Sequence, residues 1–164
     1  MQPDVEIVET DLNRADHQRD VITLTAAYAL DEMGNGGPLA PDVLDRLVPG
    51  LRAHPTALIL IAYAGGKAVG IATCFRGFST FAGRPVINIH DLAVLPSHRG
   101  RGIGTLLLDA VARKARELGC CKVTLEVVEN NTAARRLYAK TGFSQAVYGR
   151  EGIGGGALFY ARPL

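Results

Sequence analysis

Val5 to Val8 alternates apolar and acidic positions, and that alternation predicts a short first strand. From Asp16 to Met33 the rhythm changes. Val21, Leu24, Thr25, Tyr28 and Leu30 recur at helical spacing until Gly34-Asn35-Gly36-Gly37-Pro38 breaks the run. Pro41 suits the entry of a second short helix over Asp42 to Leu51. The middle of the chain is strand-rich: Ala57 to Ala64 and Ala68 to Phe75 flank Gly65-Gly66, a two-residue hairpin connection. Phe78 to Pro85 reads as a turn, and Val86 to Val94 as a further strand ended by Pro96 and Ser97. A helix is expected over Gly102 to Leu118, with Ile103, Leu106, Leu107, Ala110, Val111 and Leu118 on one stripe and Gly119 as its stop. Lys122 to Val128 predicts a strand and Thr132 to Lys140 a helix ending at Gly142. Phe143 to Tyr148 and Ala157 to Ala161 predict a closing hairpin around the glycine-rich Glu151 to Gly156. Strands before the two late helices, with hairpins elsewhere, predict an α/β (α+β) fold. Its central sheet is mixed and mostly antiparallel, of about six or seven strands, with helices on both faces.

No repeat, low-complexity tract or linker interrupts the chain, so residues 1–164 are read as a single domain. The apolar share of 48% and charged share of 21% are those of an ordinary globular protein. The longest apolar run, Ala57 to Ala64, has strand length rather than membrane-spanning length, and Met1-Gln2-Pro3-Asp4 lacks the features of a secretory leader. The cytoplasm is therefore the expected compartment, with no membrane partner. A net charge of +2 without a basic stripe argues against a nucleic-acid partner. Cys74, Cys120 and Cys121 have no partners at zinc-ligand spacing and read as reduced, packed thiols, with no metal expected.

The strand-to-helix junction Arg99-Gly100-Arg101-Gly102-Ile103-Gly104-Thr105 carries the clearest chemistry. The first amides of a helix have no internal partners and sit at the positive end of its dipole. Alternate glycines would let phosphate oxygens approach that backbone, while Arg99 and Arg101 would add charge-assisted contacts. The P-loop pattern is absent. The dinucleotide fingerprint also fails, because Thr105 stands where its third glycine belongs.

This loop resembles the cofactor motif [R/Q]-x-x-G-x-[G/A] of the GNAT superfamily of N-acetyltransferases. Asp91-Leu92-Ala93-Val94 before it and Leu106-Leu107-Leu108 after it suit the same strand and helix. A second family element follows in order: Leu125-Glu126-Val127, Asn131, Ala134 through Leu137-Tyr138, then Gly142-Phe143. The resemblance implies that acetyl-CoA is the acyl donor, its diphosphate cradled by residues 99–105. It also implies that two strands splay and the pantetheine arm inserts beside Leu92, Ala93 and Val94. An amide there would steady the developing oxyanion, an effect worth about 3–4 kcal/mol. Asn131 would bond the same arm, or act as a helix N-cap, or both.

Acyl transfer to an amine needs a base for the ammonium and an acid for the leaving thiolate. By resemblance Tyr138 is the general acid; packing beside Leu137 is the plainer alternative. For the base, Asp91 stands in Ile89-His90-Asp91-Leu92-Ala93-Val94, which resembles the I-Y-D-L-A-V stretch of some aminoglycoside acetyltransferases, and Glu126 occupies the position of the base of ribosomal-protein N-terminal acetyltransferases; both stay open. Alternation predicts that His90 points opposite to Asp91. The acceptor pocket is expected from the first two helices, their Asp31 to Pro41 connection and the Gly149 to Gly156 hairpin. Asp31 and Glu32 would either favour a cationic acceptor or form a solvated helix end. Phe75, Phe78 and Phe81 would line an apolar wall or fill the core. The expected activity is transfer of an acetyl group to a primary amine of a small molecule or a peptide N-terminus, by an enzyme that family analogy makes a homodimer. The competing expectation is a non-catalytic acyl-CoA-binding sensor; the presence of Asp91, Glu126 and Tyr138 together favours catalysis.

Overall fold

Val5–Glu9 (β1) lies on one edge of a seven-stranded sheet whose order is completed by Ala57–Ala64 (β2), Lys67–Ser79 (β3), Arg84–Val94 (β4), Lys122–Val128 (β5), Ala157–Pro163 (β7) and Ser144–Gln145 (β6). The computed structural model describes residues 4–145 and 157–164. Every pairing is antiparallel except β4 with β5, which run parallel. The crossover between those two is the helix Ile103–Glu117 (α3). The helices Ala15–Ala29 (α1) and Pro41–Ala53 (α2) cover one face, while α3 and Thr132–Lys140 (α4) cover the other.

The unbroken apolar run of β2 follows from that sandwiching. Leu58, Leu60 and Ala62 join the α3 core with Val69, Ile87, Leu107 and Val111. Ile59 and Ile61 join Val21, Leu24, Val48 and Ile71 on the α1 side. A strand buried on both faces has no polar face to alternate with. Leu107, 0% exposed, sits at the centre of the α3 core, where truncation to Ala would cost about 2–5 kcal/mol.

Several boundaries differ from the sequence pattern. α1 ends at Ala29 rather than Met33, because the chain doubles back: Gly37 N donates to Ala29 O at 3.0 Å and Met33 N to Asp31 Oδ1 at 2.9 Å. α2 is longer than Asp42 to Leu51 at both ends. The expected turn at Phe78 to Pro85 is narrower, residues 80–83, with Phe78 pairing Pro85 and Ser79 pairing Arg84 at the ends of β3 and β4. That extended hairpin leaves Phe78 63% and Phe81 fully exposed, so neither fills the core. Leu106 and Leu118 are exposed rather than on the buried stripe of α3. Cys74, Cys120 and Cys121 are free thiols, the first two buried. Beyond Ser144–Gln145, the first arm of the closing hairpin and its glycine-rich loop lie outside the described residues. Among the described residues no helix is long and apolar enough to cross a membrane.

Two irregularities prepare the site. Thr73 pairs with Asp91 but Cys74 with Ile89, so His90 is an extra residue in β4, a β-bulge. Pairing of β4 with β5 covers Ile87–Val123, Asn88–Thr124 and Ile89–Leu125 and stops at that bulge. Beyond it β4 runs to Val94 and β5 to Val128 without pairing each other.

Candidate active site

The gap between the diverging strands is a cavity of about 530 Å³. Ile89, Leu92, Leu125 and Val127 give it an apolar floor, and Tyr28, Asp31 and Met33 close it from the end of α1. Ala134, Leu137 and Tyr138 face it from α4, Gly100 and Gly102 from the loop before α3, and Thr105 from the first turn of α3. The β4 edge beyond Ile89 has no strand partner among the described residues. Backbone donors and acceptors left on such an edge need a partner, and an extended ligand can supply it.

At the opposite end of the cavity the chain turns into α3. Gly100 has φ +73° and Gly102 φ +80°, values that L side chains rarely adopt, and the space in front of each is open. The helix ladder starts with Leu106 N donating to Gly102 O at 3.1 Å, so the amides of Ile103, Gly104 and Thr105 lack helical acceptors. Ile103 is 1% exposed and anchors this terminus in the core. Gly104 lines the cavity and also has a packing task. A Cβ there would lie 2.8 Å from Leu137 Cδ2, so its missing side chain lets α3 and α4 approach.

Arg99 also lines the cavity. Its Nε donates to Val94 O at 2.9 Å and its guanidinium pairs with the Asp31 carboxylate. Arg101 is exposed and does not line the cavity, whereas Lys140, in the last turn of α4, does. Sequence reasoning missed Lys140; its place at a helix C-terminus beside the motif was the available signal. Asn131 caps α4, its Oδ1 accepting from Ala134 N at 3.2 Å, and its amide nitrogen remains a donor at the cavity rim.

Of the acid–base candidates, Tyr138 and Glu126 line the cavity and Asp91 does not. Tyr138 is 7% exposed, and its ring lies 5.8 Å from Phe143 and 6.2 Å from Tyr160. Burial, with Tyr28 adding, pushes its phenol up to about 12. Among the described residues its hydroxyl has no hydrogen-bond partner, although the ring lines the cavity. Asp91 stands half-buried behind that lining, with no ion pair or side-chain hydrogen bond among the described residues. Burial raises its carboxyl above the ordinary carboxylate range, and only His90 opposes the shift. Glu126 lines the cavity from β5 and is exposed.

The bulge overturns the expected alternation of His90 and Asp91. His90 packs its ring 5.8 Å from Phe75, which in turn meets His54 beyond α2, and His90 lines the cavity. Asp91 acts electrostatically on Tyr28 of α1, so both residues lie on the α1–α2 side of the sheet. Tyr28 is the second residue sequence reasoning missed: read as part of a helical stripe, it instead reaches the cavity, its hydroxyl donating to Met33 O at 3.3 Å. Of the expected acceptor residues, Asp31 lines the cavity and Glu32 is exposed, while Gly149 to Gly156 lies outside the described residues.

Residues 25–143 match the model of the acetyltransferase (GNAT) family. An uncharacterized N-acetyltransferase of Archaeoglobus fulgidus is 39% identical over 82 residues, covering 49% of this chain and 56% of the relative. The thialysine N-epsilon-acetyltransferase of Mus musculus is 38% identical over 74 residues, 45% of this chain and 43% of that protein. The chain thus spans about half the length of these relatives. Among solved structures, Naa50 of Arabidopsis thaliana in complex with the bisubstrate analogue CoA-Ac-MVNAL superposes with a TM-score of 0.67. It is 20% identical, with 98% of this chain and 99% of that one covered.

Proposed function

The chain belongs to the GNAT family, and on that premise we propose that it is an acetyl-CoA-dependent N-acetyltransferase acting on a primary amine of a small molecule or a peptide N-terminus. One observation carries this reading: the unpartnered edge of β4 opens into the same cavity as the unpaired amides of α3 and the Tyr138 ring. The residues present fit acetyl-CoA. The amides of Ile103, Gly104 and Thr105 would hold its diphosphate, with Gly100 and Gly102 leaving room for the oxygens. The backbone at Leu92, Ala93 and Val94 would pair with its extended pantetheine arm, and Asn131 would add a side-chain donor.

Acetyl-CoA supplies a thioester whose carbonyl carbon is open to an amine. The protein's residues do the rest. Asp91, or Glu126 across the gap, takes the proton that keeps the acceptor an ammonium ion. The amine nitrogen then bonds to the acyl carbon as the carbon–sulfur bond breaks. A β4 amide would steady the carbonyl oxygen as it gains charge, Tyr138 would give its proton to the departing sulfur, and the second proton shed by the new amide nitrogen would restore the phenol. The apolar floor excludes water from the acyl group. The same reading makes residues 1–164 one catalytic domain of the cytoplasm that works as a homodimer, with exposed Phe78 and Phe81 offering apolar surface to a partner copy. A solution mass of one 17.4 kDa chain would count against the dimer.

The test is thiol release from acetyl-CoA with a panel of amines that includes thialysine and the pentapeptide MVNAL, the acceptors named with two similar proteins. Turnover of at least one amine above the solvent rate is expected. CoA binding without turnover across the panel would remove the catalytic reading and leave a sensor.

A further inference from the structure

The segment between α1 and α2 is organised around Asp31. Its backbone oxygen accepts from Gly34 N at 2.9 Å and Gly36 N at 3.1 Å, and its Oδ1 accepts from Met33 N at 2.9 Å. Tyr28 closes the same fold through Met33 O, and Gly34 packs so tightly that a Cβ would fall 2.1 Å from the Tyr28 carbonyl oxygen. The remaining carboxylate oxygen of Asp31 reaches across the cavity mouth to the guanidinium of Arg99, 68 positions away in sequence. Arg99 is itself fixed to the end of β4 through Val94 O. Asp31 and Arg99 therefore join the wall facing the acceptor to the strand end and loop that face the donor.

We propose that Asp31 and Arg99 are positioning residues whose ion pair holds Tyr28 and Met33 in place against the end of β4 and so sets affinity for the acceptor. The role in acceptor affinity rests on the acetyl-transfer reading; the ordering of the segment does not. Global stability is not its purpose, since the Arg99 side chain is 51% exposed and pairs of that kind add little. Arg99 and then the Met33 amide hold the Asp31 carboxyl below the usual carboxylate range, so the pair is charged throughout the neutral range.

Asp31→Asn keeps an oxygen for the Met33 amide and removes the charge; Arg99→Met removes the other partner. Amide hydrogen exchange of Met33, Gly34 and Gly36 in the full chain reads the ordering without any assay of activity. Both variants are expected to exchange faster there, with unchanged protection in β2 and β3. With the best amine of the panel, KM for the acceptor is expected to rise about fivefold, the order of one exposed ion pair. Neither kcat nor CoA affinity should move beyond about twofold. The double variant should be no worse than the worse single one, and Asp31→Glu should recover part of the loss. Unchanged exchange in both variants overturns the proposal, as does additive loss in the double variant. A fall in CoA affinity with a constant acceptor KM overturns it too, by returning Arg99 to the phosphates. If the wild-type chain turns over no amine, the acetyl-transfer reading fails while exchange still decides whether the pair orders the segment.

Discussion

A carboxylate taken partly out of water without a partner is held at a cost, and such groups gather where chemistry needs them. Asp91 is in that position. Its carboxyl is raised by burial, so the folded chain binds the proton more tightly than the unfolded chain does. The penalty is absent below the unfolded value, grows as pH rises through the folded one and is fully present above it. Asp91→Asn should therefore raise Tm at pH 7 by a few degrees, with the gain shrinking towards pH 4, while kcat falls about 100-fold or more. Calorimetry across pH with parallel kinetics checks both halves. A variant that loses stability at pH 7 and keeps its kcat removes Asp91 from the mechanism and leaves Glu126→Gln as the deciding change. As the proposed acid Tyr138 has the opposite need, to stay protonated, and a phenol pushed up to about 12 does so through the whole assay range. Tyr138→Phe should lower kcat roughly 100-fold and leave CoA affinity unchanged in a titration. An unaltered kcat would assign the ring to packing alone. Both residues could be picked out as candidates because they stand in a spaced motif, but the face that Asp91 occupies was not legible. A bulge made by a histidine, with neither glycine nor proline beside it, leaves no mark in a pattern of alternate positions.

Two glycines of one loop separate what an element needs from what its ligand needs. Gly102 is required by its backbone: at φ +80° any other residue is strained by about 1–2 kcal/mol. Valine there would also crowd the approach to the α3 amides. Gly102→Val is expected to weaken CoA binding at least tenfold by titration calorimetry, and an unchanged Kd would place the donor elsewhere. Gly104 is required by its neighbour, since a methyl group would press on Leu137. Gly104→Ala should cost about 1–3 kcal/mol in denaturant unfolding, and Leu137→Ala in the same chain should recover part of it. A second change that merely adds its own loss would show that the helices do not meet there. The strand-to-helix turn could be read from the chain because helix termini and αL glycines are local features. The meeting of Gly104 with α4 and of Arg99 with Asp31 could not, since each partner comes from a remote part of the chain. The core stripe of α3 was legible for Ile103, Leu107 and Val111. It failed at Leu106 and Leu118, because periodicity gives a direction but not the width of the covering sheet.

At the scale of the whole molecule the sheet is joined across β4 and β5 by the three pairs Ile87–Val123, Asn88–Thr124 and Ile89–Leu125. The rest of that seam is open. α3 and its core hold the two halves together from one side: Leu107 and Val111 belong to the same apolar cluster as Leu60 and Val69 of one half and Val123 and Leu125 of the other. A donor that fills the opening would add backbone bonds along β4 and contacts to α4, and none of these exist in the unfolded chain. Linkage then requires stabilisation that grows with the logarithm of donor concentration, about 2.7 kcal/mol at a hundredfold excess over Kd. For a chain of 164 residues this corresponds to a rise in Tm on the order of 5–10 °C. Local protection should follow the same geography. Amides of Leu92 to Val94 and Glu126 to Val128 should slow in hydrogen exchange with CoA, while β1 and β2, on the far edge, should hardly change. A Tm indifferent to millimolar CoA would mean that the opening is not where the donor binds. A Tm rise with protection confined to the Phe78–Phe81 hairpin would locate CoA on the outside of the sheet, and would detach the cavity from the chemistry assigned to it.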